Sequence, residues 1–254
     1  MYQPFAYMAP AAGAANLLPV GGYLAYIDFA EDSYLTFDGS GNIETATDIS
    51  GNGYDATQTD AAKRPGVSSA GKSAQYYLAG NNTRRLEWST MDAAIAATDP
   101  ATNDYTIVTG IEESSQRRQP WGLGEGGAGS RRLEFFMNDS TNRRDYIAVN
   151  RQVFFSSTND SNKDIILFGE SDASNITIYG YMNSLSTGTA GASWATDAQP
   201  CYSRIGNTAR GANPSDDWTG KLYFIAVYQS HLTTLERESI RDWAVSKWGM
   251  TLTT

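Results

Sequence analysis

The chain has 254 residues and a formal net charge of −9 at pH 7, from 19 Lys and Arg against 28 Asp and Glu. That balance argues against nucleic acid or an anionic membrane as a main partner, and no apolar run approaches the ~20 residues of a membrane-spanning helix. Cys201 is the single cysteine, so an internal disulfide is excluded.

Residues 1–22 carry no charge and read as an irregular N-terminal arm. Pro4, Pro10, Asn16 and Pro19 break the unbroken apolar centre that a secretory signal needs. Tyr2, Phe5, Tyr7 and Met8 are costly to leave in water. The arm therefore folds back on its own domain or docks on another chain, and the sequence leaves both open.

From Tyr23 onward, short apolar runs alternate with Asn, Asp, Ser, Thr and Gly, the rhythm of strands and turns. Tyr23 to Phe29 is a first strand, and residues 30–66 read as a long polar connection. Ala74 to Ala79 and Arg85 to Trp88 read as short strands. Met91 to Ala97 suits a short helix, and Tyr105 to Glu112 a strand. Gly122 to Gly127 satisfies G-x-G-x-x-G, but a strand follows where a dinucleotide site needs a helix, so a hairpin loop is expected. Arg131 to Met137, Arg144 to Val149, Asp164 to Phe168, Ile176 to Met182 and Tyr202 to Ile205 continue the strands. In the fourth of these, Ile176, Ile178 and Gly180 share one face while Tyr179 and Tyr181 share the other. Residues 183–200 and 207–217 read as polar loops, with Trp194 in the first and Trp218 just beyond the second.

The C-terminal stretch is the most defined. Leu222 to Tyr228 is almost wholly apolar, as a strand buried on both faces requires. Thr233-Thr-Leu-Glu236 fits a capping box. Leu235, Ile240, Trp243, Ala244 and Lys247 then recur at roughly helical spacing, and Gly249 marks the stop. The expectation is an all-β domain over 23–254 closed by one C-terminal helix, 234–248.

Two segments carry a family resemblance. Gly220-Lys-Leu-Tyr-Phe-Ile-Ala-Val-Tyr228, then Leu232 and Thr233-Thr-Leu-Glu-Arg237, resembles the end of laminin-G-like domains of the concanavalin A-like lectin/glucanase superfamily. Asp48-Ile-Ser-Gly-Asn-Gly-Tyr-Asp-Ala-Thr-Gln58, followed by Arg64-Pro65, is similar to a segment of such domains in bacterial surface and phage virion proteins. The family often has a Trp just before that Asp; Ala46 and Thr47 stand there here. The resemblance implies a two-sheet antiparallel jelly-roll sandwich and leaves function open, because one fold hosts many functions.

The reactive residue types are few. One His, His231, and one Cys leave little for nucleophilic catalysis or zinc. The resemblance implies that a glucanase would carry its acids as a run on one strand, yet Glu134 stands alone in its strand. Asp48, Asn52 and Asp55 offer oxygens to calcium, with an Asx-turn as the alternative. Trp121, Tyr179, Tyr181, Trp194 and Trp218 are the candidate sugar platforms. These readings lead to a non-enzymatic phage virion protein with no required cofactor. It is made in the host cytoplasm, sits on the particle surface as a homo-oligomer, and is anchored to other virion proteins through the arm. The alternative is an adhesin that binds host glycans, with calcium as its candidate ion; a glycan-degrading enzyme ranks third.

Overall fold

The computed structural model describes residues 17–67, 84–98, 100, 102–112, 119–124, 132–138, 143–148, 151–156, 164–172, 174–181, 185–189, 192–193, 202–207, 218 and 220–252. The expected strand over 74–79, most of the N-terminal arm with Tyr2, Phe5, Tyr7 and Met8, and Trp194 lie outside the described residues.

Two antiparallel sheets form a β-sandwich. The smaller runs β1 (Tyr23–Asp28), β16 (Lys221–Tyr228), β6 (Tyr105–Glu112), β11 (Asp164–Ser171), β12 (Ile176–Tyr181) and β13 (Leu185–Thr189). The larger runs β14 (Ala192–Ser193), β10 (Arg151–Ser156), β9 (Arg143–Ala148), β8 (Arg132–Asn138), β7 (Trp121–Gly124), β15 (Arg204–Ile205), β5 (Leu86–Glu87), β4 (Ala56–Thr57), β3 (Ile43–Ala46) and β2 (Leu35–Phe37). Among the described residues two α-helices complete the fold, α1 (Ser89–Ala97) and α2 (Thr234–Trp248). The connection expected over 30–66 instead holds β2, β3 and β4. Its polar residues alternate with single buried ones such as Leu35, Ile43, Ala46 and Ala56, so these short strands leave too few apolar residues in a row for a periodicity signal.

Burial proceeds in two layers. Leu222, Ile225 and Val227 of β16 join Ile27, Ile107, Ile165 and Ile178 between the sheets, against Leu86, Trp121, Leu133 and Phe135 of the larger sheet. Tyr223, Phe224, Ala226 and Tyr228 of the same strand face the other way, with Tyr26, Val108 and Phe168, under α2. A register shift between Leu222 and Phe224 lets Tyr223 and Phe224 both lie on the helix side before the alternation resumes. The apolar run of β16 is thus explained by two burial surfaces back to back.

Helix α2 begins as its sequence predicts. The Thr233 hydroxyl accepts from the Glu236 amide, and the Glu236 carboxylate accepts from the Thr233 amide at 2.7 Å. It ends at Gly249, which takes the left-handed conformation at φ 62°. Ile240, Ala244 and Trp248 are buried against the sheet, and the Trp248 ring stacks on Phe224 at 5.1 Å. Leu235 departs from expectation: it is 76% exposed. Its place on the buried side is taken by Leu232, just before the helix, and by Arg237. Arg237 Nη1 donates to Glu170 Oε1 at 2.7 Å, and its guanidinium lies 4.0 Å from the centre of the Tyr179 ring. Among the described residues no helix is long and apolar enough to cross a membrane.

Three outcomes follow. Arg237→Ala leaves Glu170 buried without its cation and is expected to cost about 3–5 kcal/mol, against ~1 kcal/mol for Thr233→Ala at the cap, as read from denaturant unfolding. At the β2–β3 turn, the Asn42 and Ser40 amides and Arg64 hold the Asp38 carboxyl down at about 2. A depressed carboxylate stabilises the fold above its unfolded pKa, and that contribution is lost as pH falls through about 2. Side-chain NMR titration of Asp38 should show that midpoint, and Asp38→Asn should remove this component of the acid unfolding curve.

Candidate functional site

The smaller sheet is covered on one face by the larger sheet and on the other by α2. The outer face of the larger sheet is where strand alternation places polar side chains, opposite Leu86, Trp88, Trp121, Leu133 and Ile205 of the core. Its register lines up Thr57, Glu87, Arg204, Gly122 and Glu134 on five adjacent strands.

Glu87 and Arg204 form the centre of this row. Arg204 Nε donates to Glu87 Oε2 at 3.0 Å, and Arg85, two residues along β5's line, donates to the other carboxylate oxygen. Burial pushes the Glu87 carboxyl up, but the two guanidinium groups outweigh it and hold the group below its usual range. Glu87 is therefore an ionised acceptor at neutral pH. Tyr202 lies two residues before Arg204 and, by alternation, on the same face. The residue is 37% exposed, with the Arg204 guanidinium 5.1 Å from the centre of its ring. Gly122, next in the row, offers no side chain beside Arg204. Farther along, Arg132 Nε lies 3.3 Å from Glu134 Oε2, and both side chains are shut off from water.

Neighbouring elements fix the segment that runs from Tyr202 into β15. Its Ser203 amide donates to Asp92 Oδ1 of α1 at 2.6 Å, and the Ser203 carbonyl accepts from the Trp88 amide at 2.8 Å. Burial holds the Asp92 carboxyl above its usual range, with the Ser203 contacts pulling it back. Trp88 is itself buried and donates its indole N–H to the Tyr54 carbonyl. The site is thus held from below by core residues and from the side by α1. The exposed Tyr202 ring and the ionised Glu87 carboxylate both neighbour the Arg204 guanidinium, at 5.1 and 3.0 Å, on a side chain that is itself largely buried. Such a set can stack on an apolar sugar face while donating to and accepting from its hydroxyls.

The platforms expected from sequence are placed elsewhere. Trp121 and Trp218 are fully buried between the sheets, with Trp121 packed edge-on against Phe135 at 5.0 Å. A core Trp and a platform Trp look alike in sequence, and the packing decides. Tyr179 and Tyr181 do share the face opposite Ile176 and Ile178, as expected, but α2 roofs that face. Arg237 lies over Tyr179 and Arg241 over Tyr181, the latter at 5.3 Å. Trp121, Trp218 and Tyr181 are buried, and Tyr179 is half-buried beneath Arg237. Glu87, Arg204 and Tyr202 were missed, although Arg85-Leu-Glu-Trp88 and Tyr202-Ser-Arg204-Ile each show the alternation that would have put them outside.

Asp48, Asn52 and Asp55 come together, and they serve the edge of β1. Asp48 Oδ1 accepts from the Tyr26 and Ser50 amides, both at 2.9 Å, and Oδ2 from the Ser50 hydroxyl and the Tyr54 amide. Asp55 Oδ1 accepts from the Asp48 amide at 2.8 Å. The Ile49 amide donates to the Tyr26 carbonyl, and Asn52 Nδ2 to the Leu24 carbonyl at 2.9 Å. The Ser-Gly-Asn-Gly loop thereby pairs β1's outer backbone groups as a neighbouring strand would, and blunts a sheet edge open to strand addition. A cation here would have to displace the donors already on both Asp48 oxygens. Among the described residues no group of three or more His, Cys, Asp or Glu side chains is placed to hold a metal.

No protein-family model matches the chain, and no curated protein does. Among solved structures, a Trypanosoma rangeli sialidase in complex with sialic acid is similar at 13% identity and a TM-score of 0.56, over 90% of this chain and 34% of that one. A second complex of that sialidase, with 2,3-difluorosialic acid, gives 14% identity and a TM-score of 0.55, over 96% and 36%. An arabinofuranosidase complexed with arabinofuranosyl-alpha-1,2-xylobiose gives 14% identity and a TM-score of 0.54, over 92% and 61%. This chain spans about a third of the length of the sialidase chains. At such identity the likeness shows the fold, and it meets the expected lectin/glucanase resemblance at the level of the β-sandwich. It also corrects the expectation that the protein is not an enzyme. That exclusion rested on a missing run of acids, whereas chains that share this fold are a sialidase and an arabinofuranosidase.

Asp48→Ala strips four donors of their acceptor. It is expected to cost about 3 kcal/mol or more, since each buried group left unmade costs ~1–3 kcal/mol. Thermal unfolding measures the loss, and light scattering of the folded variant should show association through the bared β1 edge.

Proposed function

We propose that this chain is a glycan-recognising β-sandwich whose ligand lies on the outer face of the larger sheet, over Tyr202, Arg204 and Glu87. One observation carries the reading: an exposed tyrosine lies two residues from a guanidinium that shares a register row with an ionised carboxylate, with Trp88 beneath and Asp92 of α1 at the side. The fold shared with sugar-acting chains supports it. The ring takes the C–H face of a sugar, Arg204 and Arg85 donate to its hydroxyls, and Glu87 accepts from them.

This reading replaces the virion attachment role as the conclusion. That role drew on the Ser-Gly-Asn-Gly segment, the absence of a secretory signal and of a catalytic set, and the arm, whose Tyr2, Phe5, Tyr7 and Met8 lie outside the described residues; removing residues 1–20 and measuring incorporation into particles remains its test.

A glycan array with the purified chain should give defined binders. On the best of them, Tyr202→Ala should weaken binding about tenfold, as loss of a stacking contact worth ~1.4 kcal/mol would, and Arg204→Ala should weaken it further. The same glycans incubated with the protein and analysed for shortened products test for cleavage. Binding that survives both substitutions, with the fold intact by circular dichroism, would place the ligand elsewhere.

A further inference from the structure

Asp28 closes β1 and Lys247 lies near the end of α2, 219 positions apart in the chain. In the fold, Lys247 Nζ is 2.7 Å from Asp28 Oδ2 and 2.6 Å from Glu31 Oε1. The Asp28 side chain is 0% exposed and that of Lys247 8%. The Tyr26 hydroxyl donates to Asp28 Oδ2 at 2.5 Å, and the Ala30 amide donates to Oδ1 at 2.9 Å. The rings of Trp243 and Trp248 flank the amine, their centres 5.4 and 5.2 Å from Nζ.

A buried ion pair needs one acid. Here one amine has two, one dry and one at the rim. The dry acid has donors on both oxygens, and an aromatic wall excludes water. Two groups held in contact in this way react as if at very high concentration, and a dry site removes the water that would reverse an amide-forming condensation. We propose that Lys247 and Asp28 are joined by an intramolecular isopeptide bond, with Glu31 relaying the protons.

The step balances without an outside reagent. Glu31 carries one proton from the Lys247 ammonium to the Asp28 carboxylate, leaving a neutral amine and a neutral carboxylic acid. Burial favours that acid form, holding the Asp28 carboxyl above its usual range while Lys247 and Tyr26 pull the other way. Nζ attacks Cγ and a C–N bond forms. The Tyr26 hydroxyl and the Ala30 amide hold the oxygens of the tetrahedral intermediate. Glu31 then moves a proton from the nitrogen to the hydroxyl group, the C–O bond breaks and one water leaves. Glu31 ends as it began, and β1 is covalently tied to α2.

Intact-mass spectrometry of the purified, denatured full chain tests this. The expected result is a mass lower than the sequence mass by one water. Lys247→Arg, which keeps the cation, and Glu31→Gln should both return to their full sequence masses. Proteolysis of the native protein should release one branched peptide joining residues 28 and 247. A wild-type chain at its sequence mass overturns the proposal. So does a water loss that persists in Lys247→Arg or maps to a succinimide at Asp38-Gly39. Water loss retained in Glu31→Gln, with the branched peptide present, overturns the relay role of Glu31.

Discussion

Strand β16 has no face to give to water, and much of the architecture follows from that. Its inward residues fill the space between the sheets, and its outward ones need a second cover, which α2 supplies. At roughly 25 cal/mol per Å² of apolar surface, several aromatic side chains left open on that outer face would outweigh the few kcal/mol by which a domain is stable. The helix is therefore an integral layer. Because it covers Tyr26, Val108, Phe168 and Tyr228 on the outer face of the smaller sheet, the proposed ligand surface lies on the larger one.

Charges enter these apolar layers where α2 meets the sheet. Arg237 reaches Glu170 near the start of the helix, and Lys247 reaches Asp28 and Glu31 near its end. Buried pairs of this kind contribute little net stability over apolar residues, but a broken one is costly. Two such pairs at the ends of one helix set its position along the sheet, which an oily contact alone leaves free to slide. The same logic holds on the far side of the molecule, where Glu87 is shared between Arg85 and Arg204 and the row of outward side chains is fixed.

The Ser-Gly-Asn-Gly loop shows how a recognisable motif can have an architectural task. Its Asp, Ser and Asn side chains read equally well as metal ligands or as an Asx-turn. In the fold they serve as backbone partners for β1, a strand that would otherwise end the smaller sheet with unpaired amides and carbonyls. The residues that make a calcium loop and those that plug a sheet edge are the same oxygen-bearing types. Only the position of the loop beside β1 separates the two uses.

The sequence by itself determined the elements whose signals are local. These are the capping box and glycine stop of α2, the doubly apolar strand before it, the strand over Tyr105 to Glu112, and the alternation that sets the two tyrosines of β12 against its isoleucines. Each is written in spacing, which depends on the backbone repeat alone. Only the tertiary structure decided what each face meets. It buried Trp121 and Trp218, roofed Tyr179 and Tyr181 with arginines from α2, left Leu235 in water, and brought Glu87, Gly122 and Arg204 from three separated segments into one row. A side chain's surroundings depend on residues far away in the chain, so an aromatic ring's spacing predicts which side it points to and is silent on whether that side is core, interface or open surface.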